Sequence, residues 1–222
     1  MRRKIERFAD NAARRNVIQP GKEFYESIKG KWHSDFFENT NDIFLELACG
    51  RGEYSVGMAI VYPQRNFIGV DIKGDRIWKG SNQAVNENLQ NVAFLRTNIL
   101  NLERFFEVPE VAEIWILFPD PRPKGRDERR RITAPRFLEI YKSIICPGGT
   151  IRLKTDNTDF FEFTLETLRA RTDIKDLELT RDLYNSPMNA EHHGIRTRYE
   201  EKFNEAGHDI KYLKFQFKID EM

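Results

Sequence analysis

From residue 42 onward, short apolar runs alternate with amphipathic stretches. DIFLELA (42–48) and NFIGVDI (66–72) are nearly continuous apolar segments, the pattern of strands buried on both faces of a parallel sheet. VAFL (92–95), EIWILF (113–118) and TIRLKT (150–155) extend the series. Helical stretches fall between them: EYSVGMAIVYP (53–63), about 75–88, a short piece near Leu102, 134–145 and 159–170. Two late runs, LELTRDL (177–183) and KYLKFQFKI (211–219), complete the chain. The last has no crossover helix after it and is expected to insert antiparallel. Strand–helix alternation with short loops predicts an open, doubly wound α/β fold with a mostly parallel sheet and an antiparallel C-terminal strand. Upstream, EFYESIKGKWHSDFFE (23–38) reads as one amphipathic helix weakened by Gly30, and Pro20-Gly21 separates it from a basic start. The expected division is a basic N-terminal arm and helix over 1–40 and the α/β domain over 41–222. There is no internal repeat.

Composition narrows the picture. A chain of 222 residues with 40% hydrophobic and 12% aromatic residues suits one well-cored domain. Net charge is only +1, so any affinity for a polyanion must come from local clustering. Cys49 and Cys146 form no CxxC pair, which suggests a reducing compartment without structural zinc. His192-His193 has no further ligands at suitable spacing, so no metal is expected. No apolar run approaches the roughly 20 residues that cross a bilayer, and MRRKIERFAD lacks the apolar core of a secretion signal. The expected setting is cytoplasmic, without a membrane, for a monomer or homodimer.

Open α/β sheets bind ligands at the carboxyl ends of their strands. The first strand ends in Glu46-Leu47-Ala48-Cys49-Gly50-Arg51-Gly52, where Gly50 and Gly52 permit a tight turn and close approach to a ligand. The second ends at Asp71, placed to accept both hydroxyls of an adenosine ribose. A nucleoside cofactor follows. NAD fits poorly, because Ser55 stands at the third position of G-x-G-x-x-G and Glu53 puts a carboxylate in the helix's first turn. The cationic S-adenosylmethionine suits Glu46, Glu53 and Asp120 better. Asn98, closing LRTNIL, either bonds the adenine edge or caps a turn.

The fourth strand runs into Pro119-Asp120-Pro121, where the prolines hold the carboxylate in an extended backbone. Residues 122–136 then carry seven basic side chains against Asp127 and Glu128, with Arg126, Arg129, Arg130 and Arg131 as the candidate phosphate track. With basic residues at Arg2, Arg3, Lys4, Arg7, Arg14 and Arg15, this argues for a nucleic-acid substrate. Asp156 ends the fifth strand, where it could equally cap the next helix. Thr197-Arg198-Tyr199-Glu200 is a capping box by pattern, with Gly207 as its helix stop.

Taken together, ELACGRGEYSVGMA, FIGVDI, FPDPRPKGRDERRRIT, GGTIRLKTDN and TRYEEKF, in this order and spacing, resemble the bacterial tRNA (guanine-N7)-methyltransferases. The resemblance runs from about residue 43 to the C-terminus. It implies a class I, Rossmann-like methyltransferase domain that uses S-adenosylmethionine to form 7-methylguanosine in the variable loop of tRNA. Position by position, it implies that Glu46, Asp71, Asn98 and Asp120 contact the cofactor, with Gly50 and Gly52 in the turn. It makes Asp120 the catalytic acid position and brings Lys124, Asp156 and Thr197, Arg198, Tyr199 and Glu200 to the substrate. The family usually has Trp at Arg122, His at Asp127 and commonly Asp at Asn98. Rival readings are a methyltransferase for exocyclic amines, whose D/N-P-P-aromatic block Arg122 breaks, a silent RNA-binding protein, and an NAD-dependent dehydrogenase.

Overall fold

The computed structural model describes residues 4–205 and 207–219, so Arg2 and Arg3 lie outside the described residues. Strands β1 (Val17–Ile18), β2 (Ile43–Leu47), β3 (Asn66–Asp71), β4 (Val92–Arg96), β5 (Val111–Leu117), β6 (Ile145–Thr155), β7 (Ile174–Thr180) and β8 (Lys211–Phe217) form one sheet. Their spatial order is β1-β4-β3-β2-β5-β6-β8-β7. The pairs from β1 to β6 are parallel, and β8 inserts antiparallel between β6 and β7. The order reverses at β2, which places the ligand crevice over the carboxyl ends of β2, β3 and β5.

Side-chain alternation splits the core into two layers. Ile43, Leu45, Leu47, Ile68, Val70, Leu95, Ile114 and Ile116 face one side, against Trp32, Phe105, Phe106 and helices α5 (Pro135–Ile144) and α6 (Thr158–Arg169). Phe44, Phe67, Phe94, Trp115 and Leu117 face the other, against α3 (Glu53–Val61) and α4 (Gly74–Asn86). Glu46 shares the parity of Phe44 and therefore points at α3.

Three local expectations need correction. Residues 23–38 are not one helix. Gly30 takes a left-handed φ of 72°, separating the short α2 (Glu23–Ser27) from a π-helical turn, Trp32–Phe37. The Glu110 carboxylate holds the break by accepting from the backbone N–H groups of Gly30 (3.2 Å) and Trp32 (3.3 Å). Second, Val17–Ile18 adds a strand the pattern did not reveal, pairing with Phe94 and Leu95. Third, the late strand is Ile174–Thr180 rather than 177–183, and a bulge lies between Lys175 and Glu178.

The described part of the N-terminal segment is ordered against the sheet. Helix α1 (Lys4–Ala13) packs on α4, with Asn11 donating to the Gly74 carbonyl at 2.7 Å. A Cβ on Gly74 would fall 2.7 Å from the Phe8 ring, so only glycine allows this approach. Arg14 donates to Asn82 (2.7 Å), and Arg15 pairs with Glu38 (2.8 Å), so both guanidiniums are engaged within the fold. No described helix is long and apolar enough to cross a membrane.

Candidate active site

A cleft of about 930 Å³ opens over the strand ends. Its walls come from the 46–53 turn, Lys73 and Arg76 after β3, Leu117 to Pro121 after β5, and one face of α7 (Arg198–Glu205) with Thr197.

The floor is a buried carboxylate. Glu46 is 5% exposed and accepts from the Ser55 backbone N–H (2.8 Å) and from the Ser55 hydroxyl. Burial pushes its carboxyl up to about 7, against those hydrogen bonds, with Glu53 and Asp71 adding repulsion. Among the described residues no cation pairs with it, so a positively charged group in the cleft would be its natural counter-ion.

Asp71 ties two strand ends together. Its carboxylate accepts from Gly50 N–H (2.9 Å) and Lys73 N–H (2.8 Å), fixing the turn at a left-handed Gly50. Gly50 lines the cleft; Asp71 lies behind it and Gly52 is turned to the core. A Cβ on Gly52 would lie 2.3 Å from the Phe94 ring, so packing of the helix start demands that glycine. Asn98 caps the 3-10 turn Ile99–Arg104, accepting from Leu100 N–H at 3.0 Å, and does not line the cleft.

On the other side, Asp120 lines the cleft and is exposed. The prolines alone do not place it. Phe118 (φ 46°) and Arg122 (φ 45°) are both left-handed, and Asp120 accepts from Arg122 N–H at 3.1 Å. Phe118 N–H donates to the Lys154 carbonyl at 2.8 Å, which anchors the loop to β6. The loop's far end is fixed by Arg131, whose Nε donates to the Arg122 carbonyl at 3.3 Å while its guanidinium lies over Phe163. Arg131 is 7% exposed, so it braces the loop and does not belong to the expected phosphate track. Arg126, Arg129 and Arg130 are exposed, Arg130 pairing with Asp127 at 3.4 Å. Lys124 is exposed, precedes the 3-10 turn Gly125–Arg130 without a side-chain capping bond, and is outside the cleft lining.

The capping box of α7 forms as the pattern predicts. Glu200 N–H donates to the Thr197 hydroxyl (3.1 Å), and Thr197 N–H to Glu200 (3.4 Å). The Glu200 carboxylate does more than cap. At 1% exposure it forms an ion pair with the equally buried Lys154 and accepts from the Tyr184 hydroxyl at 2.6 Å. Its oxygens are engaged inside the fold, so the expectation that Glu200 presents a carboxylate to the substrate does not hold in this geometry. Thr197, Arg198 and Tyr199 do line the cleft.

Tyr199 is 51% exposed, its ring 5.9 Å from Phe118 and 4.5 Å from Phe203. Burial raises its phenol above the ordinary value, and the carboxylates of Asp156 and Asp120 raise it further. Asp120, Asp156 and Tyr199 thus share one neighbourhood. Asp156 is not the helix cap; Asn157 is, accepting from Phe160 N–H at 2.8 Å. The two histidines diverge: His192 is buried beside Trp115 and Tyr54, while His193 meets Tyr62 at the surface. Among the described residues no group of three or more metal-ligating side chains comes together.

The chain matches the model of a putative methyltransferase family over residues 40–213. It is 48% identical over 217 residues to the tRNA (guanine-N(7)-)-methyltransferase of Cytophaga hutchinsonii, covering 97% of this chain and 98% of that one. The same enzyme of Bacteroides thetaiotaomicron is 42% identical, with coverages of 96% and 85%. This chain belongs to the tRNA (guanine-N(7)-)-methyltransferase family. Among solved structures, the 16S rRNA methyltransferase KamB superposes with a TM-score of 0.63 at 16% identity, covering 90% of this chain and 97% of that one. TrmN from Thermus thermophilus gives 0.55 at 17%, covering 80% and 44%. At such identities these two speak for the shared class I methyltransferase fold alone.

Several contacts in and around the cleft escaped the sequence pattern. Lys154 is an interior lysine in TIRLKT, and its polar interruption of an apolar strand was the available signal. Glu53 accepts from Arg198 N–H at 2.9 Å, joining the 46–53 turn to α7 across 145 positions, a distance no local motif reveals. Arg51, Lys73, Arg76 and Lys202 line the cleft from elements read only as helix and turn.

Proposed function

We propose that this chain transfers a methyl group from S-adenosylmethionine to N7 of a guanine in the variable loop of tRNA, forming 7-methylguanosine. The observation that carries the reading is 48% identity, over 97% of this chain, to a tRNA (guanine-N(7)-)-methyltransferase, joined to a cleft with a buried carboxylate floor and an exposed carboxylate at its mouth. The residues fit a cationic nucleoside: the floor offers Glu46, and the wall between β2 and β3 is a glycine turn held by Asp71. Glu46, Gly50 and Asp120 are the cofactor-facing groups, with Asp71 setting the turn from behind. When bound, S-adenosylmethionine supplies an electrophilic methyl on sulfonium sulfur.

Guanine N7 carries an in-plane lone pair and no proton, so no general base is needed there. The protein's tasks are alignment and stabilisation of the positive charge that grows on the purine. Asp120, exposed at the cleft mouth, accepts from guanine N1–H or its amino group and favours that charge. The half-exposed Tyr199 ring beside it offers a stacking face to an extruded base. Asp156 adds a second carboxylate to the same neighbourhood. Thr197 and Arg198 complete the wall, and the exposed Arg126, Arg129 and Arg130, with Lys124, meet phosphates.

Purified protein incubated with methyl-labelled S-adenosylmethionine and unmodified tRNA transcripts tests this, followed by borohydride–aniline cleavage. Label with scission at one variable-loop guanine is expected. Label without scission would move the modification to another atom and refute the N7 assignment.

A further inference from the structure

The cleft has a second charged rim, away from the arginine loop. After β3 the chain enters α4, and Lys73 and Arg76 line the cleft from that helix's start. Lys79 lies one turn further along. Burial and then the guanidiniums of Arg51, Arg7 and Arg198 hold its ammonium below lysine's usual value, which places four cations from four separate elements in one neighbourhood. Glu53 is the carboxylate that acts on Lys79, and it is already engaged by Arg51 (3.9 Å) and by Arg198 N–H. The N-terminus of a helix of 13 residues adds its own positive end between Lys73 and Arg76.

The docking of α1 builds this rim. Asp10 accepts from the Trp78 indole N–H at 2.7 Å, and Arg7 lies over the same ring with its guanidinium carbon 5.2 Å from the ring centre. Arg7 is thereby carried toward Lys79, whereas Arg14, 5.3 Å from the centre of that ring, is engaged with Asn82. Six cations gathered beside Glu53, Asp75, Glu201 and Glu205 still leave an excess of positive charge, which an anion would relieve.

Because β3 and β5 flank β2, the Lys73–Lys79 rim and the Asp120 loop lie on opposite sides of the turn that floors the cleft. We propose that Arg7, Arg51, Lys73, Arg76, Lys79 and Arg198 form a second phosphate-binding surface for the tRNA backbone. The exposed base would then enter the cleft between two basic rims, each holding phosphates on its own side. This rests on the reading of the chain as a tRNA methyltransferase and adds where the rest of the tRNA lies. Structured RNA is held mainly through such shape and phosphate contacts.

The test compares two triple variants in tRNA binding over a salt series. One is Lys73→Gln/Arg76→Gln/Lys79→Gln; the control, Lys29→Gln/Lys31→Gln/Lys175→Gln, removes the same charge from exposed sites elsewhere. The rim variant should lose about tenfold or more in affinity near 0.1 M salt, and its log–log salt slope should shrink by about 2, at roughly 0.7–0.9 per phosphate contact. The control slope should stay at the wild-type value, and S-adenosylhomocysteine affinity should be unchanged in both. Equal slopes for rim variant and wild type, or equal losses in rim variant and control, would overturn the proposal. So would a fall in S-adenosylhomocysteine affinity with tRNA binding intact. Wild-type protein is assayed for N7 scission on the same transcript. Absence of scission there would defeat the methylation reading, whereas scission with an unaltered rim slope defeats the rim alone.

Discussion

The two walls of the cleft are built differently. On the side proposed to hold the cofactor, Glu46 and Asp71 are buried carboxylates held by backbone N–H groups within a tight turn. On the side proposed to meet the substrate, Asp120 is exposed on a loop braced from outside by Lys154 and Arg131, and Tyr199 stands half in solvent. A wall made of local backbone geometry receives a small ligand of fixed shape. A wall whose groups project from remotely anchored elements leaves room for a large one.

The contrast breaks most sharply at Asp120. Asp120→Ala should lower the single-turnover methylation rate by about 10²–10³-fold, in the range for removal of one preorganised electrostatic group. tRNA affinity should stay near wild type; loss of binding with a normal rate would reverse the assignment of roles. The brace comes next. Glu200→Gln leaves Lys154, whose ammonium burial already holds below its usual value, without its counter-charge. Unfolding in urea should show a loss of about 3–5 kcal/mol, with Lys154→Met/Glu200→Gln recovering much of it. A negligible single-mutant effect would mean that the pair does not hold α7.

The cofactor side responds to pH. Glu46 titrates near 7 when folded, above its ordinary 4.5, so the folded state keeps a proton that the unfolded state releases. Stability therefore falls as pH rises through that window, and the ionised form costs about 3 kcal/mol. Glu46→Gln should gain relative to wild type by about that amount between pH 4.5 and pH 8 in ligand-free unfolding, and should weaken cofactor binding. A pH-independent difference would contradict the buried anion. The smallest effect separates Arg129 from Arg131. Arg126→Gln/Arg129→Gln should reduce the salt slope of tRNA binding by about 1–2, while Arg131→Gln should leave the slope unchanged and lower thermal stability.

The same contrast explains what the sequence made legible. Strands β2 to β6 announce themselves as short apolar runs, and the turn chemistry at Gly50 and Asp71 lies within the reach of a local motif. The capping box of α7 was equally readable, because Thr197 and Glu200 are three residues apart. Glu200's other bond, to Lys154 some 46 positions earlier, was not, and it changes the residue's job. Arg131 sits in a run of exposed arginines, and only the position of Phe163 on another helix decides that it is buried. The two-residue β1 is too short for any periodicity, and Gly30's conformation rather than its helix propensity divides residues 23–38.

The proposed reaction turns on guanine N7, and a transcript in which the candidate variable-loop guanine is replaced by 7-deazaguanine tests that atom directly. That base keeps N1–H, the amino group and the stacking face but presents carbon at the reacting position. Binding equal to that of the unmodified transcript is expected, with no methyl transfer to that nucleotide. Transfer at an undiminished rate would place the chemistry on a different atom and contradict the proposed reaction.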